Sequence, residues 1–158
     1  SKEELLRAVQ ARLVEELVGL VARIAPEPIP FIPKLKLFFE SLFDYAACHK
    51  NFTRITAMEL GNKSKNNFGE LVSEQLHPLY EKAKDFLKEG MERGVFNPID
   101  PDHLLIALIA MIVPYFSETP FLENLLGKNV HSETEQSLRR ELLLQMIFRI
   151  LLKDPVEP

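Results

Sequence analysis

Apolar residues recur every three or four positions along most of this chain. No segment shows the alternation of apolar and polar residues that is typical of a half-buried β-strand. Between residues 2 and 24 the series consists of Leu6, Val9, Leu13, Leu17, Leu20 and Ile24. A period near 3.6 residues places such side chains on one face of an α-helix. We therefore expect an all-α protein, an orthogonal and antiparallel bundle of about six or seven helices, forming one domain over residues 1–158.

Prolines, glycines and capping residues divide the chain into its predicted helices. Ser1 and Glu4 have the spacing of a capping box, so the first helix is expected to begin at residue 2. Prolines exclude helix from the short linker over residues 26–33, and Pro33 suits the first turn of the next helix. The remaining helices are predicted over residues 34–48, 52–60, 68–94, 101–117, 119–127 and 132–153, with a loop over 62–67.

Pro78 lies inside the long helix predicted over residues 68–94. It removes one backbone hydrogen bond, so we expect a kink about one turn earlier and an irregular backbone from Glu74 to His77. His77 is expected either to bond a freed carbonyl or to face a cavity. Gly94 is placed to end this helix in a left-handed conformation.

Polar residues mark the starts of the last three helices. Asp100, Thr119 and Ser132 are the predicted N-caps. Pro101 suits the first helical position after Asp100, and Glu135 would complete a second capping box with Ser132.

The charge balance is mildly acidic, with 19 Lys plus Arg against 23 Asp plus Glu and a net charge of −4. This sign is unsuited to gripping DNA phosphates, so we expect no DNA binding by these residues themselves. Cys48 is the single cysteine, which excludes an internal disulfide and suits a reducing cytoplasm. The longest uncharged run, residues 103–117, is too short for a membrane span, so no membrane contact is expected.

Few spacings in the chain could carry chemistry. Glu74 and His77 have the Glu-x-x-His spacing of di-iron bundles, but the sequence lacks the second copy and the further carboxylates. Cys48 and His49 are adjacent, so on a helix their side chains diverge by about 100° and cannot act as nucleophile and base. Phosphate-binding loops and serine-nucleophile motifs are also absent. We therefore expect no enzyme activity, no metal and no cofactor.

The helices predicted over residues 101–117 and 132–153 carry more apolar surface than a small domain can cover. Residues 104–116 contain no charge and are expected to be buried all round, and the last helix has only a narrow polar strip. A symmetric homodimer would cover this surface; the alternative is that one chain covers both helices itself. The candidate interface residues are Leu105, Ile109, Ile112, Phe116, Leu143, Ile147, Ile150 and Leu151.

Three motifs follow one another in the chain: Ser-Lys-Glu-Glu-Leu-Leu-Arg-Ala-Val at 1–9, Gly-Val-Phe-Asn-Pro-Ile-Asp-Pro at 94–101, and Pro-Phe-Leu-Glu-Asn-Leu-Leu-Gly at 120–127. Their order and spacing resemble the tetracycline-repressor (TetR) family. The first resembles the junction between the family's DNA-binding helix-turn-helix and its connecting helix. The other two resemble the segments that precede its two dimerisation helices. The helix-turn-helix itself is absent from this sequence.

The resemblance implies the regulatory part of a transcriptional repressor, forming a homodimer that contacts DNA only through the absent N-terminal domain. Residues 1–24 would be the connecting helix, and residues 101–117 and 132–153 the dimerisation helices. A small molecule in the core would tilt the connecting helix and change the spacing of two DNA-reading heads. Effector and DNA would then weaken each other's binding.

The middle helices favour a small apolar or aromatic effector, because ligand pockets are mostly apolar with a few polar anchors. A cavity is expected between the helices over residues 2–24, 34–48 and 68–94, near Pro114 in the uncharged helix. Candidate anchors are Tyr45, His77, Tyr80 and Tyr115. The candidate ligand-binding residues are Phe38, Phe39, Leu42, Tyr45, Met58, His77, Tyr80, Phe86, Met111 and Tyr115.

Two other classes of protein remain open. A carrier of apolar, lipid-like ligands would need the cavity but no DNA-binding segment. A purely structural dimerisation module would need no cavity.

Overall fold

A computed structural model of the chain describes residues 1–61 and 72–152. The described residues form seven α-helices and one π-helical turn, with no β-strand among them, which confirms the all-α prediction. The helices are α1 (Lys2–Ile24), α2 (Phe31–Cys48), α3 (Lys50–Gly61), α4 (His77–Glu92), α5 (Pro101–Ser117), α6 (Thr119–Leu126) and α7 (Glu133–Leu151), and the π-helical turn is Val72–Leu76.

The first helix has the predicted bounds. Ser1 Oγ accepts a hydrogen bond from the backbone N–H of Glu4 at 3.2 Å, and the Glu4 carboxylate pairs with the terminal ammonium, so the capping box is present. The second helix starts three residues earlier than predicted, at Phe31, with Pro33 in its first turn. The ring of Phe31 stacks on Phe86 at a centroid distance of 5.3 Å, and this tertiary contact stabilises the additional turn.

The irregular backbone expected before Pro78 is present. Residues Val72–Leu76 form the π-helical turn, and the regular helix α4 begins at His77. In a π-helix each N–H bonds the carbonyl five residues earlier, instead of four as in an α-helix. This altered pattern accommodates Pro78, which has no N–H to donate. The predicted loop over residues 62–67 and the predicted helix start over 68–71 lie outside the described residues.

The left-handed end predicted for this helix is confirmed, since Gly94 has φ +72°. The backbone N–H groups of Val95 and Phe96 both donate to the Gly90 carbonyl, at 2.9 and 3.0 Å. The chain thus turns back and lays the buried Phe96 ring on Gly90, where a Cβ atom would lie 2.2 Å from the ring. Only glycine allows so close an approach.

Two of the three predicted N-caps are confirmed. The Asp100 carboxylate accepts from the N–H groups of Asp102 and His103 at 2.9 and 3.1 Å, and Ser132 Oγ accepts from the N–H of Glu135 at 3.3 Å. The Thr119 prediction was wrong, because Glu118 is the N-cap of α6 and makes no side-chain cap bond.

The side chains at the starts of α6 and α7 bond elsewhere. The Thr119 hydroxyl lies 3.3 Å from the Phe116 carbonyl and 2.8 Å from His131 Nε2. The Glu135 carboxylate, which would have completed the capping box, pairs with Lys128 at 2.8 Å. The end predicted for the last helix at residue 153 lies outside the described residues, and α7 ends at Leu151.

The helix α2 lies at the centre of the described helices. It packs against α1, α3, α5 and α7, and α3 lies along α5. The core is made of the inner faces of α2, α4, α5 and α7 together with Phe96.

The helices α5 and α7 run antiparallel. At one end Asn97 N–H donates to the Leu151 carbonyl at 2.7 Å, and at the other Arg139 Nη2 donates to the Met111 carbonyl at 3.1 Å. These two bonds connect the helices near both ends of the pair.

No single described helix has the length and apolarity needed to cross a membrane. The pair α5 and α6 passes that test jointly, but the two helices are bent by 80° at their junction.

Candidate functional site

The outer surface of α5 and α7 carries an apolar stripe. Ile106 and Ile109 on α5 are 57% and 53% exposed. On α7 the exposed side chains follow the i, i+4 spacing that gives a helix a continuous ridge. The α5–α7 stripe consists of Ile106, Ile109, Leu138, Leu142, Met146 and Ile150. Within a single chain α5 is therefore not buried all round, and this chain does not cover both helices itself.

The candidate interface residues divide between this stripe and the core. Ile109 and Ile150 lie on the stripe, and Leu105 is half-buried. The other five are buried in the core of their own chain: Ile112, Phe116, Leu143, Ile147 and Leu151. Their side chains are covered by their own chain. An all-apolar helix gives no sequence signal for which face turns inward, so the choice was arbitrary.

The three candidate phenylalanines, Phe38, Phe39 and Phe86, pack against other aromatic rings. Phe38 and Phe86 are in edge contact at 5.6 Å between centroids, and Phe39 lies 6.1 Å from Phe43. Phe96 completes the first cluster at 5.9 Å from Phe86. Aromatic pairs at these distances stabilise the core.

Tyr115 and Met111 are held by a basic side chain of α7. The Tyr115 hydroxyl donates to the Val130 carbonyl at 2.7 Å, and the guanidinium of Arg139 lies 5.2 Å from the Tyr115 ring centroid. Burial raises the pKa of the Tyr115 phenol. The Arg139 contact with the Met111 carbonyl lies close to Pro114, which leaves the Ala110 carbonyl without its intrahelical donor.

Tyr80 belongs to a polar network between α4 and α5. Its hydroxyl donates to the Asp102 carboxylate at 2.8 Å, and Lys84 Nζ donates to the same carboxylate at 2.8 Å. These bonds, that of Lys84 first, lower the pKa of the Asp102 carboxyl, and the bond to Asp102 raises the pKa of Tyr80. The network fixes the start of α5 against α4.

His77 faces solvent. Its side chain is 64% exposed and its Nε2 lies 4.0 Å from the Glu81 carboxylate. Both expectations for it, a bond to a freed carbonyl and a place at a cavity, were therefore wrong, because the helix resumes its regular turn at this residue. Within the part of the chain that the structure describes, no group of three or more His, Cys, Asp or Glu residues could hold a metal ion.

Tyr45 joins α2 to α1. Its hydroxyl donates to the Leu13 carbonyl at 2.5 Å, and the His49 ring stacks on its ring at 4.2 Å between centroids. His49 Nε2 lies 3.6 Å from the Glu16 carboxylate on α1. Burial, and then the charge of Glu16, raise the pKa of Tyr45 to about 12. We call Leu13, Glu16, Tyr45 and His49 the α1–α2 clasp.

Two open clefts lie on the described surface. One of about 370 Å³ adjoins the clasp and is lined by Leu13, Cys48, His49, Lys50 and Asn51. The other, of about 250 Å³, lies between α2 and α7 and is lined by Lys36, Glu40, Ser137, Arg140, Glu141 and Leu144.

Neither cleft contains a predicted ligand-binding residue. Leu42 is half-buried on α2, and the side chain of Met58 lies outside the described residues. The cavity expected between α1, α2 and α4 stays a prediction.

One buried polar residue was missed by the sequence analysis. Gln10 lies on the inner face of α1 and is 5% exposed. It stands one helical turn before Val14, among the apolar positions 6, 13, 17 and 24. A glutamine at an inward position of an amphipathic helix was the available signal.

The fold and these surfaces define an all-helical domain with a two-helix apolar face and a long helix clasped to its core. A model of the family described as "Tetracyclin repressor-like, C-terminal domain" matches residues 33–147, well over half of the chain. The chain therefore belongs to this family, and the predicted resemblance is confirmed. A comparison with curated proteins gave no match.

Proposed function

We propose that this chain is the effector-binding and dimerisation part of a ligand-responsive transcriptional repressor. The family match carries the proposal, because domains of this family typically dimerise and bind small-molecule effectors. The net charge of −4 agrees with a part that does not itself hold DNA. DNA would be contacted in the cytoplasm by a helix-turn-helix outside these residues.

The α5–α7 stripe supports a two-fold homodimer. Six large apolar side chains are exposed on the two helices, and a two-fold axis would pair this surface with its own copy. Four helices would then pack together across the interface.

The α1–α2 clasp supports a role for α1 in transmitting ligand binding. A change in the packing of α2 would pull on Leu13 and Glu16 through Tyr45 and His49. Because α1 is a single rod of 23 residues, a small rotation at the clasp becomes a larger displacement at its N-terminal end.

Two measurements on the purified chain test this function. Sedimentation is expected to give a dimer at micromolar concentration, and a thermal-shift screen of uncharged apolar and aromatic compounds is expected to give stabilising ligands. In a fluorescence titration the chain should not bind duplex DNA with the steep salt dependence of phosphate contacts.

The outcomes separate the candidate functions. A monomer at micromolar concentration would contradict the dimerising regulator and favour a carrier. A dimer with no stabilising ligand in the screen would leave a structural dimerisation module, and salt-dependent DNA binding would contradict the division of roles proposed here.

A further inference from the structure

His131 lies in the turn between α6 and α7 and contacts three helices. Its ring stacks on the Phe116 ring of α5, with 6.1 Å between centroids and 12° between planes. Its Nε2 lies 2.8 Å from the hydroxyl of Thr119, the first residue of α6. Its backbone carbonyl accepts from the Gln136 side chain of α7 at 3.2 Å. We call Phe116, Thr119, His131 and Gln136 the His131 joint.

The hydrogen bonds of Thr119 select the form of the His131 ring. The Thr119 hydroxyl donates to the Phe116 carbonyl at 3.3 Å. A hydroxyl has one hydrogen to donate, so Nε2 of His131 is the donor in its contact with Thr119 Oγ1. The neutral ring that satisfies both contacts therefore carries its hydrogen on Nε2 and has a bare Nδ1.

A further proton can be added to this ring only at Nδ1. That atom is buried, and none of the described residues lies within bonding distance of it. The new N–H would lie in the plane of the imidazole, nearly parallel to the Phe116 ring, so the face of that ring could not accept it. A charged donor buried without an acceptor is strongly unfavourable. Protonation of His131 therefore opposes the packing of the joint.

The charges around the joint give the imidazolium little support. Burial, and then the positive charge of Lys50 on α3, lower the pKa of His131, and Glu123 on α6 opposes them only in part. Among the described residues no carboxylate forms an ion pair with His131. The other titratable or charged side chains near the joint bond elsewhere, namely Tyr115, Glu118, Glu135 and Arg139.

We infer that the His131 joint is a pH-sensitive switch, in which proton uptake at Nδ1 of His131 loosens α6 and the start of α7 from the end of α5. This inference goes beyond the proposed function, and the switch itself operates in a monomer as well as in a dimer. Its effect on a partner rests on the proposed function, because the joint connects the two helices that carry the α5–α7 stripe.

The direction of the pH dependence follows from the two states of His131. In the unfolded chain the imidazole takes up its proton near the ordinary pKa of about 6.5. Because the folded pKa is lower, the folded chain is fully stable above about pH 6.5 and loses stability as the pH falls from there towards the folded value. Between pH 8 and pH 5 this histidine can raise the unfolding equilibrium constant by at most about 30-fold.

Two substitutions remove the proton site in different ways. His131→Phe keeps a ring against Phe116, and His131→Gln keeps a donor for Thr119. Urea unfolding at pH 8 and pH 5 is expected to show a rise in the unfolding equilibrium constant that is several-fold smaller in both variants than in the wild type. His77→Gln is the control, since His77 is 64% exposed, and its rise should equal that of the wild type.

The comparison remains decisive if one variant fails to fold. The rise with acid is measured within each chain, so a loss of stability at both pH values does not affect it. A folded His131 variant whose rise equals that of the wild type would overturn the switch.

Hydrogen exchange measured by mass spectrometry locates the change. After correction for the intrinsic effect of pH on exchange, protection over residues 118–136 of the wild type is expected to fall about tenfold from pH 8 to pH 5. Protection of α2 should fall less, and the joint of His131→Phe should keep its protection. An equal loss over both segments of the wild type would overturn the switch, because it would report global unfolding.

Sedimentation at the same two pH values tests the effect on the partner. The wild-type dimer is expected to weaken at pH 5, and the His131→Phe dimer is not. A wild-type dimer of unchanged affinity would overturn the effect on the stripe. A monomer at both pH values would contradict the proposed dimerisation, while hydrogen exchange would still decide whether the joint is a switch.

Discussion

The hydroxyl of Tyr45 on α2 donates a hydrogen bond of 2.5 Å to the backbone carbonyl of Leu13, 32 residues earlier on α1. A carbonyl oxygen inside a helix already accepts from the N–H four residues later, so the Tyr45 hydroxyl donates to the second lone pair of the Leu13 oxygen. His49 stacks on the Tyr45 ring and approaches the exposed carboxylate of Glu16, about one turn further along α1. The middle of α1 is thereby fixed by side chains from one end of α2.

Tyr45→Phe is expected to lower the free energy of unfolding by about 1 kcal/mol, the net contribution of one partly buried hydrogen bond. The phenylalanine keeps the ring that stacks on His49, so the loss reports the hydroxyl alone. Urea unfolding followed by circular dichroism measures it. Tyr45→Leu, which also removes the ring, should cost more, and equal stability of wild type and Tyr45→Phe would contradict the clasp.

The stability difference between wild type and Tyr45→Phe is also expected to depend on pH in the alkaline range. Because burial and Glu16 raise the pKa of Tyr45 to about 12, the folded state favours the protonated phenol. The resulting stabilisation is fully present below the ordinary tyrosine pKa of about 10 and is lost as the pH rises through about 12. The difference in stability between wild type and Tyr45→Phe should therefore narrow over that interval, and a constant difference would contradict the assignment.

Gly90→Ala is expected to destabilise the fold by about 1–3 kcal/mol, the usual cost of forcing an atom into a packed core. The new Cβ would lie 2.2 Å from the buried Phe96 ring, which has to move. Gly19→Ala is the matched control, since the nearest atom there is the flexible Arg23 guanidinium at 3.8 Å. It should stabilise α1 by about 0.5–1 kcal/mol. Urea midpoints that shift equally in both variants would contradict the packing described.

Asp102→Asn is expected to lower the melting temperature at pH 7. The bonds from Lys84 and Tyr80 hold the pKa of the Asp102 carboxyl below its ordinary value of 3.8, so the folded state favours the carboxylate. That stabilisation is present above the ordinary pKa and is lost as the pH falls through the lower folded value. The gap between wild type and variant should accordingly close during acidification below about pH 4.

Asp85→Asn is the control for this prediction. Asp85 is exposed on the same helix as Lys84, and the described residues give it no hydrogen bond or ion pair. The melting curve of Asp85→Asn should match that of the wild type at pH 7 and at pH 2. A gap for Asp102→Asn that persists at pH 2 would show that the ionised carboxylate is not the source of the effect.

Leu142→Glu is expected to convert the proposed dimer into a monomer that keeps its helical content. Leu142 is 50% exposed in the chain, so the charge does not disturb the core, but at the stripe it would be buried without a partner, at a cost of several kcal/mol. Leu5→Glu places the same charge on a side chain 68% exposed on α1 and should leave the dimer intact. Sedimentation velocity distinguishes the two, and an unchanged dimer in Leu142→Glu would place the interface elsewhere.

Ile147 is unsuitable for this experiment although it belongs to the predicted interface. It is 1% exposed and lies on the inner face of α7, in the core. A charge at this position would unfold the chain before it could report on a partner.

Much of the local structure could be predicted because its causes lie within a few residues. The capping box of Ser1 and Glu4, the cap at Asp100, the left-handed Gly94 and the irregular turn before Pro78 depend on backbone donors and acceptors near the residue concerned. These features would arise in any fold that contains the same helices.

The inward faces of the helices were decided by tertiary structure. The apolar residues of α5 and α7 surround each helix, so the sequence contains the apolar surface but not its division between the core and the α5–α7 stripe. Ile147 and Met146 are neighbours of similar hydrophobicity, yet one is buried and the other exposed, because α2 packs against only one side of α7.

The polar residues show the same division. His77 was a candidate by its place beside Pro78 and lies in solvent, whereas Gln10 had no motif and is buried. Composition and spacing by themselves determined an all-helical chain with an excess of apolar surface. The partners of each side chain depend on the angles at which whole helices cross, and those angles result from the summed packing of residues far apart in the sequence.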